Sequence, residues 1–240
     1  MISLMFHDVY VVDEDESGYI GKGPGLYKLS QDKFVEIINI LSSQKDIKFQ
    51  YTFDDGGISA YTLIAPLLEK HGLRGCFFLV TSKINTPGFL TSEQILSLDR
   101  RGHIIGSHSH SHPRLTELSP TEIQYEWLTS KKILEDILGH TVSVVSIPNG
   151  YQSKKIFKLA TQSGYNEIYT SIPQVICSEG FQKNVQIGRF VVLRDSTTND
   201  ILRLNKVFYR VCLYGRYLIL SFLRNLLGPL YKIIRNKIIK

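Results

Sequence analysis

The chain has 240 residues, 43% of them hydrophobic, with a mean hydropathy of −0.04. That composition excludes a disordered or fibrous chain and leaves enough apolar surface for one large domain, or one domain with an appendage, to fold without staples. The formal charge of +6 is unevenly spread: residues 201–240 hold nine Lys/Arg and no Asp or Glu, and the first 200 carry nineteen basic against twenty-two acidic residues. The positive balance therefore belongs to the tail and carries no information about the body.

Ser3 to Phe6 reads as a short strand, with His7 and Asp8 at its C-terminal end. Asp13 to Gly25 is polar and glycine-rich, which predicts a loop. Ser30 can cap a helix whose apolar positions Phe34, Ile37, Ile38 and Leu41 recur at helical spacing. A strand from Ile47 to Phe53 delivers Asp54-Asp55-Gly56-Gly57. A helix from Ser59 to His71 follows, with Leu63, Ile64, Leu67 and Leu68 on one face and Gly72 as its stop. Gly75 to Val80 is a strand, Thr91 caps a helix from Ser92 to Arg101, and the strand from His103 to Gly106 leads into His108-Ser109-His110-Ser111-His112. Ser119-Pro120-Thr121-Glu122 is a helix start, and that helix reaches about Leu138 and Gly139. The strand from Val142 to Ser146 ends in Ile147-Pro148-Asn149-Gly150; a helix from Ser153 to Ser163 and strands over Glu167–Thr170 and Val185–Val192 complete the body.

Strands alternating with helices predict parallel βαβ units. His7, Asp54/Asp55, His108/His112 and Pro148-Asn149 each fall at the C-terminal end of a different strand, and in a parallel barrel those ends share the face that carries active sites. Adjacent residues at a strand end point different ways, so one aspartate can hold a metal while its neighbour handles protons, although Asp-Asp-Gly-Gly alone also suits a plain turn. His108 and His112, spaced i, i+4, project from one face if they lie on a helical turn. Two histidines and one carboxylate make a three-ligand site with an open position, where a divalent ion can polarise an acyl oxygen and activate water. His110 points elsewhere on such a turn and is expected to face solvent or support its neighbours.

Thr52-Phe53-Asp54-Asp55-Gly56, His108-Ser109-His110-Ser111-His112-Pro113 and the flanking Gly102-His103-Ile104-Ile105-Gly106-Ser107 resemble, in order and separation, the first two motifs of the carbohydrate esterase family 4 polysaccharide deacetylases. The resemblance covers roughly Ser3 to Val192. It implies an α/β fold, a distorted (β/α) barrel of about seven parallel strands, and metal-dependent removal of an N- or O-acetyl group from a sugar. By the same resemblance Asp54 is the catalytic base, and Asp55, His108 and His112 ligate the metal, most often zinc, with cobalt and nickel as alternatives. Ile147-Pro148-Asn149-Gly150 resembles the third motif, which assigns Pro148, Asn149 and Gly150 to the substrate and oxyanion side, with the Asn149 N–H as donor.

Three departures stand out. Ser146 occupies the approximate place of the arginine that pairs with the base in this family, so the base is either less strongly oriented or held by another cation. Asn149 replaces the usual tyrosine. The late Leu-His motif that supplies the general acid has no counterpart, since no histidine follows His140. Phe6-His7-Asp8-Val9 resembles the N-terminal strand end of the poly-N-acetylglucosamine deacetylase branch, in which an early histidine is the acid, and this assigns His7 to that role. Deformylation of a lipid-linked amino sugar and a catalytically silent glycan-binding barrel are the alternative readings.

The expected division is a barrel over 1–200 and a basic amphipathic helical extension over 201–240. In the extension Leu204, Val207, Phe208, Val211, Leu218, Phe222 and Leu226 fit one helical face, and Arg203, Arg210 and Arg224 mark the other. Gly228-Pro229 breaks the pattern, which resumes over Leu230 to Lys240. Such a segment suits a membrane interface, or it docks on the barrel or a partner; nothing accompanies the charge that would indicate nucleic acid. Cys76, Cys177 and Cys212 are widely spaced and read as reduced thiols. With no signal-peptide pattern at the N-terminus, the expected location is cytoplasmic, peripheral at the inner membrane face, and the expected substrate is an acetylated glycan or a lipid-linked sugar.

Overall fold

The computed structural model describes residues 1–44, 46–175, 178–179 and 185–227. Its strands are β1 (Ile2–Phe6), β2 (Val9–Tyr10), β3 (Leu29–Ser30), β4 (Phe49–Phe53), β5 (Gly75–Leu79), β6 (Ile104–Ser107), β7 (Val144–Ser146), β8 (Glu167–Tyr169), β9 (Ser178–Glu179), β10 (Val185–Ile187) and β11 (Phe190–Val191). Its α-helices are α1 (Lys22–Gly25), α2 (Gln31–Ser42), α3 (Ala65–Lys70), α4 (Ser92–Arg100), α5 (Pro120–Leu138), α6 (Lys154–Gln162), α7 (Thr198–Arg203) and α8 (Val207–Leu227). Ser30, Thr91, Ser119 and Ser153 each cap their helix through the side chain, and Gln94 and Glu122 close capping boxes on Thr91 and Ser119. The helix expected over 59–71 opens with a wider π-turn, Ala60–Ile64. Pro66 has no N–H to give to the carbonyl one turn back, and the Ala65 N–H donates instead to Ala60 O, five residues away.

Among the described residues nine strands form one sheet in the order β11-β1-β4-β5-β6-β7-β8-β10-β9. Every neighbouring pair runs parallel except β9 against β10. This is the expected α/β fold, a parallel sheet curled into a half-barrel with helices around it. Alternation along the strands separates two layers. Phe53 and Phe77 belong to the main core with Phe6 and Phe34, with Phe53 stacked on Phe6 at 5.3 Å and on Phe77 at 5.1 Å. Cys76, Phe78, Val144 and Tyr169 form a second, smaller cluster on the other face of the sheet.

The single strand expected over 185–192 is two strands. β10 pairs with β8 and β11 with β1, near opposite edges of the sheet, and only Gly188 and Arg189 separate them. Three Cα steps reach at most about 11 Å, roughly two strand spacings, so this crossing draws the sheet into its roll. A side chain at 188 does not fit there: a Cβ would lie 2.4 Å from Gln174 O and 2.6 Å from Ile172 O. Arg189 is carried inward by the crossing and is 1% exposed.

The boundary expected at 200/201 falls inside α7, whose Ile201, together with Leu204 at its end, is buried in the main core. In α8, Tyr209 and Leu213 pack onto that core, whereas Val207, Phe208, Val211, Leu218, Phe222 and Leu226 are exposed. Cys76 is a buried free thiol and Cys212 an exposed one; Cys177 and the expected continuation over 230–240 lie outside the described residues. None of the described helices is long and apolar enough to cross a membrane.

Candidate active site

The rim formed by the C-terminal strand ends surrounds a cavity of about 460 Å³ lined by His7, Asp54, Asp55, His108, His112, Asn149 and Gly150 among others. Seven of the eight residues singled out in the sequence thus meet in one place, and Pro148 is buried at the start of the short turn that carries Asn149. The backbone around this rim is unusual. Of the five non-glycine residues with positive φ among those described, four are Asp55 (77°), Ser109 (66°), His112 (60°) and Asn149 (60°), a concentration of costly conformations that marks a functional site.

Asp55, His108 and His112 each offer one ligand atom within 4.8 Å of the others. His108 Nε2 and His112 Nε2 lie 3.6 and 3.5 Å from Asp55 Oδ1. His108 Nδ1 sits 3.0 Å from the Ser146 carbonyl; that oxygen accepts from Nδ1–H, which fixes the ring proton there and leaves the Nε2 lone pair facing the cavity. Burial lowers the pKa of His108 to about 3 and also lowers that of His112, so both rings are neutral ligands at neutral pH. Asp55 Oδ1 is buried without a hydrogen-bond partner. Burial, then the neighbouring Asp54 and Asp8 carboxylates, push its pKa well above the ordinary value, and a cation there would relieve that cost. Two ligands of a tetrahedral zinc-type ion at about 2.1 Å stand about 3.4 Å apart, close to the separations found. The donor set fits a divalent ion.

The two histidines converge by a different route from the helical turn expected. Residues 108–112 form a non-helical loop, and its shape comes from left-handed Ser109 and His112 together with buried Glu126 on α5. Glu126 Oε2 accepts from the N–H groups of His110 and Ser111 at 2.8 Å each, and Oε1 accepts from Ser111 Oγ at 2.6 Å. Ser109 Oγ accepts from the His112 N–H at 3.0 Å. His110 turns away to Thr81 Oγ1 at 3.0 Å, a supporting position.

Ser146 does stand beside Asp54, but the cation that holds Asp54 is Arg189, from the crossing between β10 and β11. Arg189 Nη1 and Nη2 donate to Asp54 Oδ1 and Oδ2 at 2.7 and 2.8 Å, and Nη2 also donates to Ser146 Oγ at 2.7 Å. Burial alone would raise the pKa of Asp54; the Arg189 charge and its two hydrogen bonds override it and hold the carboxyl well below the usual carboxylate range. Asp54 is therefore ionised throughout the neutral range. Arg189 was missed in the sequence because it lies 39 residues beyond the end of the third motif and has no local pattern; the one signal was Gly188 inside an otherwise strand-like run.

His7 is half-buried, its Nδ1 is shielded from solvent with no hydrogen-bond partner, and its ring lies 4.6 Å from that of Tyr27. Burial lowers its pKa to about 4, so it is neutral in the free site. Asp8 turns the other way and accepts from Ser17 Oγ at 2.6 Å and Ser59 Oγ at 2.8 Å. A Cβ on Gly57 would fall 2.0 Å from Asp8 Oδ1, which accounts for the second glycine after the aspartate pair. Buried Lys28 donates to Glu14 O and Ser17 O at 2.5 and 2.7 Å. Together Asp8 and Lys28 clamp the glycine-rich loop so that Tyr19 lies over His112, with ring centroids 5.6 Å apart.

The sequence profile of the polysaccharide deacetylase family matches residues 42–168, more than half of the chain. The chain belongs to that family. It is 31% identical over 122 residues to a putative polysaccharide deacetylase, YxkH, of Bacillus subtilis, covering 51% of this chain and 44% of that protein. It is 29% identical over 124 residues to the peptidoglycan-N-acetylglucosamine deacetylase PgdA of Listeria monocytogenes, covering 51% and 26%. The chain thus spans less than half the length of these curated relatives. Among solved structures, the Streptococcus pyogenes deacetylase PplD in complex with acetate superposes with a TM-score of 0.71 at 18% identity, over 85% of this chain and 97% of that one. A de-N-acetylase from Aggregatibacter actinomycetemcomitans gives 0.69 at 16% identity, over 85% and 98%. Both share the fold.

Proposed function

We infer that this protein is a metal-dependent hydrolase that removes an acetyl group from an acetylated amino sugar. The observation that carries the reading is one cavity in which an arginine-bound, ionised Asp54 stands beside the donor set Asp55, His108 and His112. Family membership and the deacetylase names of the relatives support it. Asp55, His108 and His112 would hold the ion, zinc first and cobalt or nickel as alternatives; when bound it supplies Lewis-acid polarisation of the acyl oxygen and activation of water.

The chain's own groups do the rest. Asp54, fixed on both oxygens by Arg189, accepts a proton from the attacking water. The Asn149 N–H, on a left-handed turn tied by its side chain to the carbonyls of His112 and Pro113 at 3.2 and 3.3 Å, donates to the developing oxyanion. His7 is neutral at rest; it receives the proton that Asp54 took from the water, which returns Asp54 to its ionised form, and delivers that proton to the departing nitrogen as the C–N bond breaks. Tyr19, Tyr27 and Tyr151 line the cavity as apolar walls for a sugar ring. The finer reading places that sugar on a glycan or lipid carrier at a membrane surface, supported by residues 201–240, whose nine charged residues are all basic.

Acetate release from N-acetylglucosamine oligomers and from lipid-linked N-acetylated sugars tests this, with and without a chelator and with zinc added back. Release that stops on chelation, returns with zinc and is lost in Asp54→Asn with metal retained is the expected result. No release of acetate from any of these substrates by the zinc-loaded protein would overturn it, and release of formate from a formylated sugar instead would move the reading to deformylation.

A further inference from the structure

The long helix α8 carries two opposed stripes. Tyr209, Leu213, Arg216 and Tyr217 line a groove against the barrel. On the other side Phe208 (79% exposed), Val211 (60%), Leu218 (48%), Ile219 (63%), Phe222 (65%) and Leu226 (67%) share one side of the helix, with Gly215 between Val211 and Leu218, an apolar face on a helix about 30 Å long. An apolar surface of this extent is uncommon on a protein without a partner.

The geometry points to one occupant, an anionic lipid bilayer on which α8 lies flat. Charge decides between a bilayer and a second copy of the chain. Residues 201–240 contain nine basic residues and no acidic one, so a second copy on this face would set two uncompensated cationic segments against each other, whereas anionic headgroups neutralise them. At about 30 Å α8 matches the hydrocarbon thickness, but none of the described helices, α8 included, is long and apolar enough to cross a membrane, which leaves the interfacial arrangement.

The helix is also keyed to the mouth of the cavity. Arg224 Cζ lies 4.4 Å from the Tyr151 ring centroid, Arg114 Cζ lies 4.3 Å from the same ring, and Gln152 Nε2 donates to Tyr217 Oη at 3.3 Å. Tyr151 lines the cavity itself. A bilayer beneath α8 therefore lies about one helix diameter from the mouth. Given the deacetylase reading, on which this step rests, the substrate class is an amino sugar carried on a lipid anchor.

The test uses the full chain. Co-sedimentation with vesicles of equal parts phosphatidylglycerol and phosphatidylcholine, and with pure phosphatidylcholine vesicles, reads the surface directly and needs no enzymatic activity. Binding to the anionic vesicles, at least tenfold weaker in the triple variant Phe208→Ser/Ile219→Ser/Phe222→Ser with unchanged circular dichroism, is the expected result. Phe222→Trp should give an emission blue shift with anionic vesicles, because the native Trp127 is fully buried and contributes a constant background. Equal recovery with and without vesicles, or no blue shift, would overturn the proposal, as would a concentration-dependent dimer by light scattering that the triple variant abolishes. Acetate release from a water-soluble acetylated oligomer should be the same for the triple variant and the parent. Its absence in both, with vesicle binding intact, would overturn the deacetylase reading and leave the surface standing.

Discussion

Arg189 is the residue on which the site turns. Its five N–H groups meet five acceptors: Nε donates to Thr170 O at 3.2 Å, Nη1 to Thr52 Oγ1 at 3.1 Å and Asp54 Oδ1 at 2.7 Å, and Nη2 to Asp54 Oδ2 and Ser146 Oγ at 2.8 and 2.7 Å. Arg189→Met leaves a buried carboxylate unpaired and should cost about 3–5 kcal/mol in urea unfolding, with turnover falling by about a hundredfold or more. Arg189→Lys should not rescue, since one ammonium cannot bridge both oxygens. The pH dependence has a definite sign. The pKa of Asp54 is depressed in the fold, so its contribution is present above the unfolded value of about 3.9 and is lost as pH falls below it; removing Arg189 raises that pKa and should move the acid limb of the rate profile upward. His7 acts in a different window. Its folded pKa of about 4 lies below the ordinary histidine value of 6.5, so the unfolded chain binds the proton first. Its contribution, about 3 kcal/mol, is complete above 6.5 and lost as pH falls from 6.5 to 4. Unfolding free energies measured across that range should fall less steeply in His7→Gln.

At the scale of elements, the motif loop and the strand crossing do the positioning. The loop from 108 to 112 has no regular hydrogen bonding of its own, and Glu126 on α5 supplies acceptors for three of its donors. Glu126→Ala touches no ligand, yet it should weaken zinc affinity by about 10–100-fold, as loss of outer support does at metal sites, read by competition with a chelating dye. The crossing at Gly188-Arg189 is equally specific. Gly188→Ala places a methyl against the carbonyls of Gln174 and Ile172, and the shift it forces should lower the melting temperature and reduce turnover through Arg189 while leaving zinc content unchanged.

For the whole molecule, Ile201 and Leu204 are part of the barrel core, so a chain ending at Lys206 should keep the barrel's circular dichroism and one ending at Thr197 should not. Much of this was legible in the sequence. Helical periodicity, side-chain caps and strand–helix alternation are local properties, and they specified parallel βαβ units and which strand ends carry His7, Asp54, Asp55, His108 and His112; the barrel came from the motif resemblance. The residues of Asp54-Asp55-Gly56-Gly57 and His108 to His112 offered a two-histidine, one-carboxylate donor set, and the motif resemblance chose Asp55 over Asp54 as its carboxylate. Residues far apart in the chain were another matter. Whether anything replaced the arginine missing at Ser146, how two histidines converge without a helix, and which stripe of α8 faces water all depend on which edges and loops meet when the sheet rolls. Arg189 reaches Asp54 across 135 positions because a rolled sheet brings its two edges near one another, and no local pattern encodes that approach; the guanidinium charge then keeps the buried carboxyl ionised as a base.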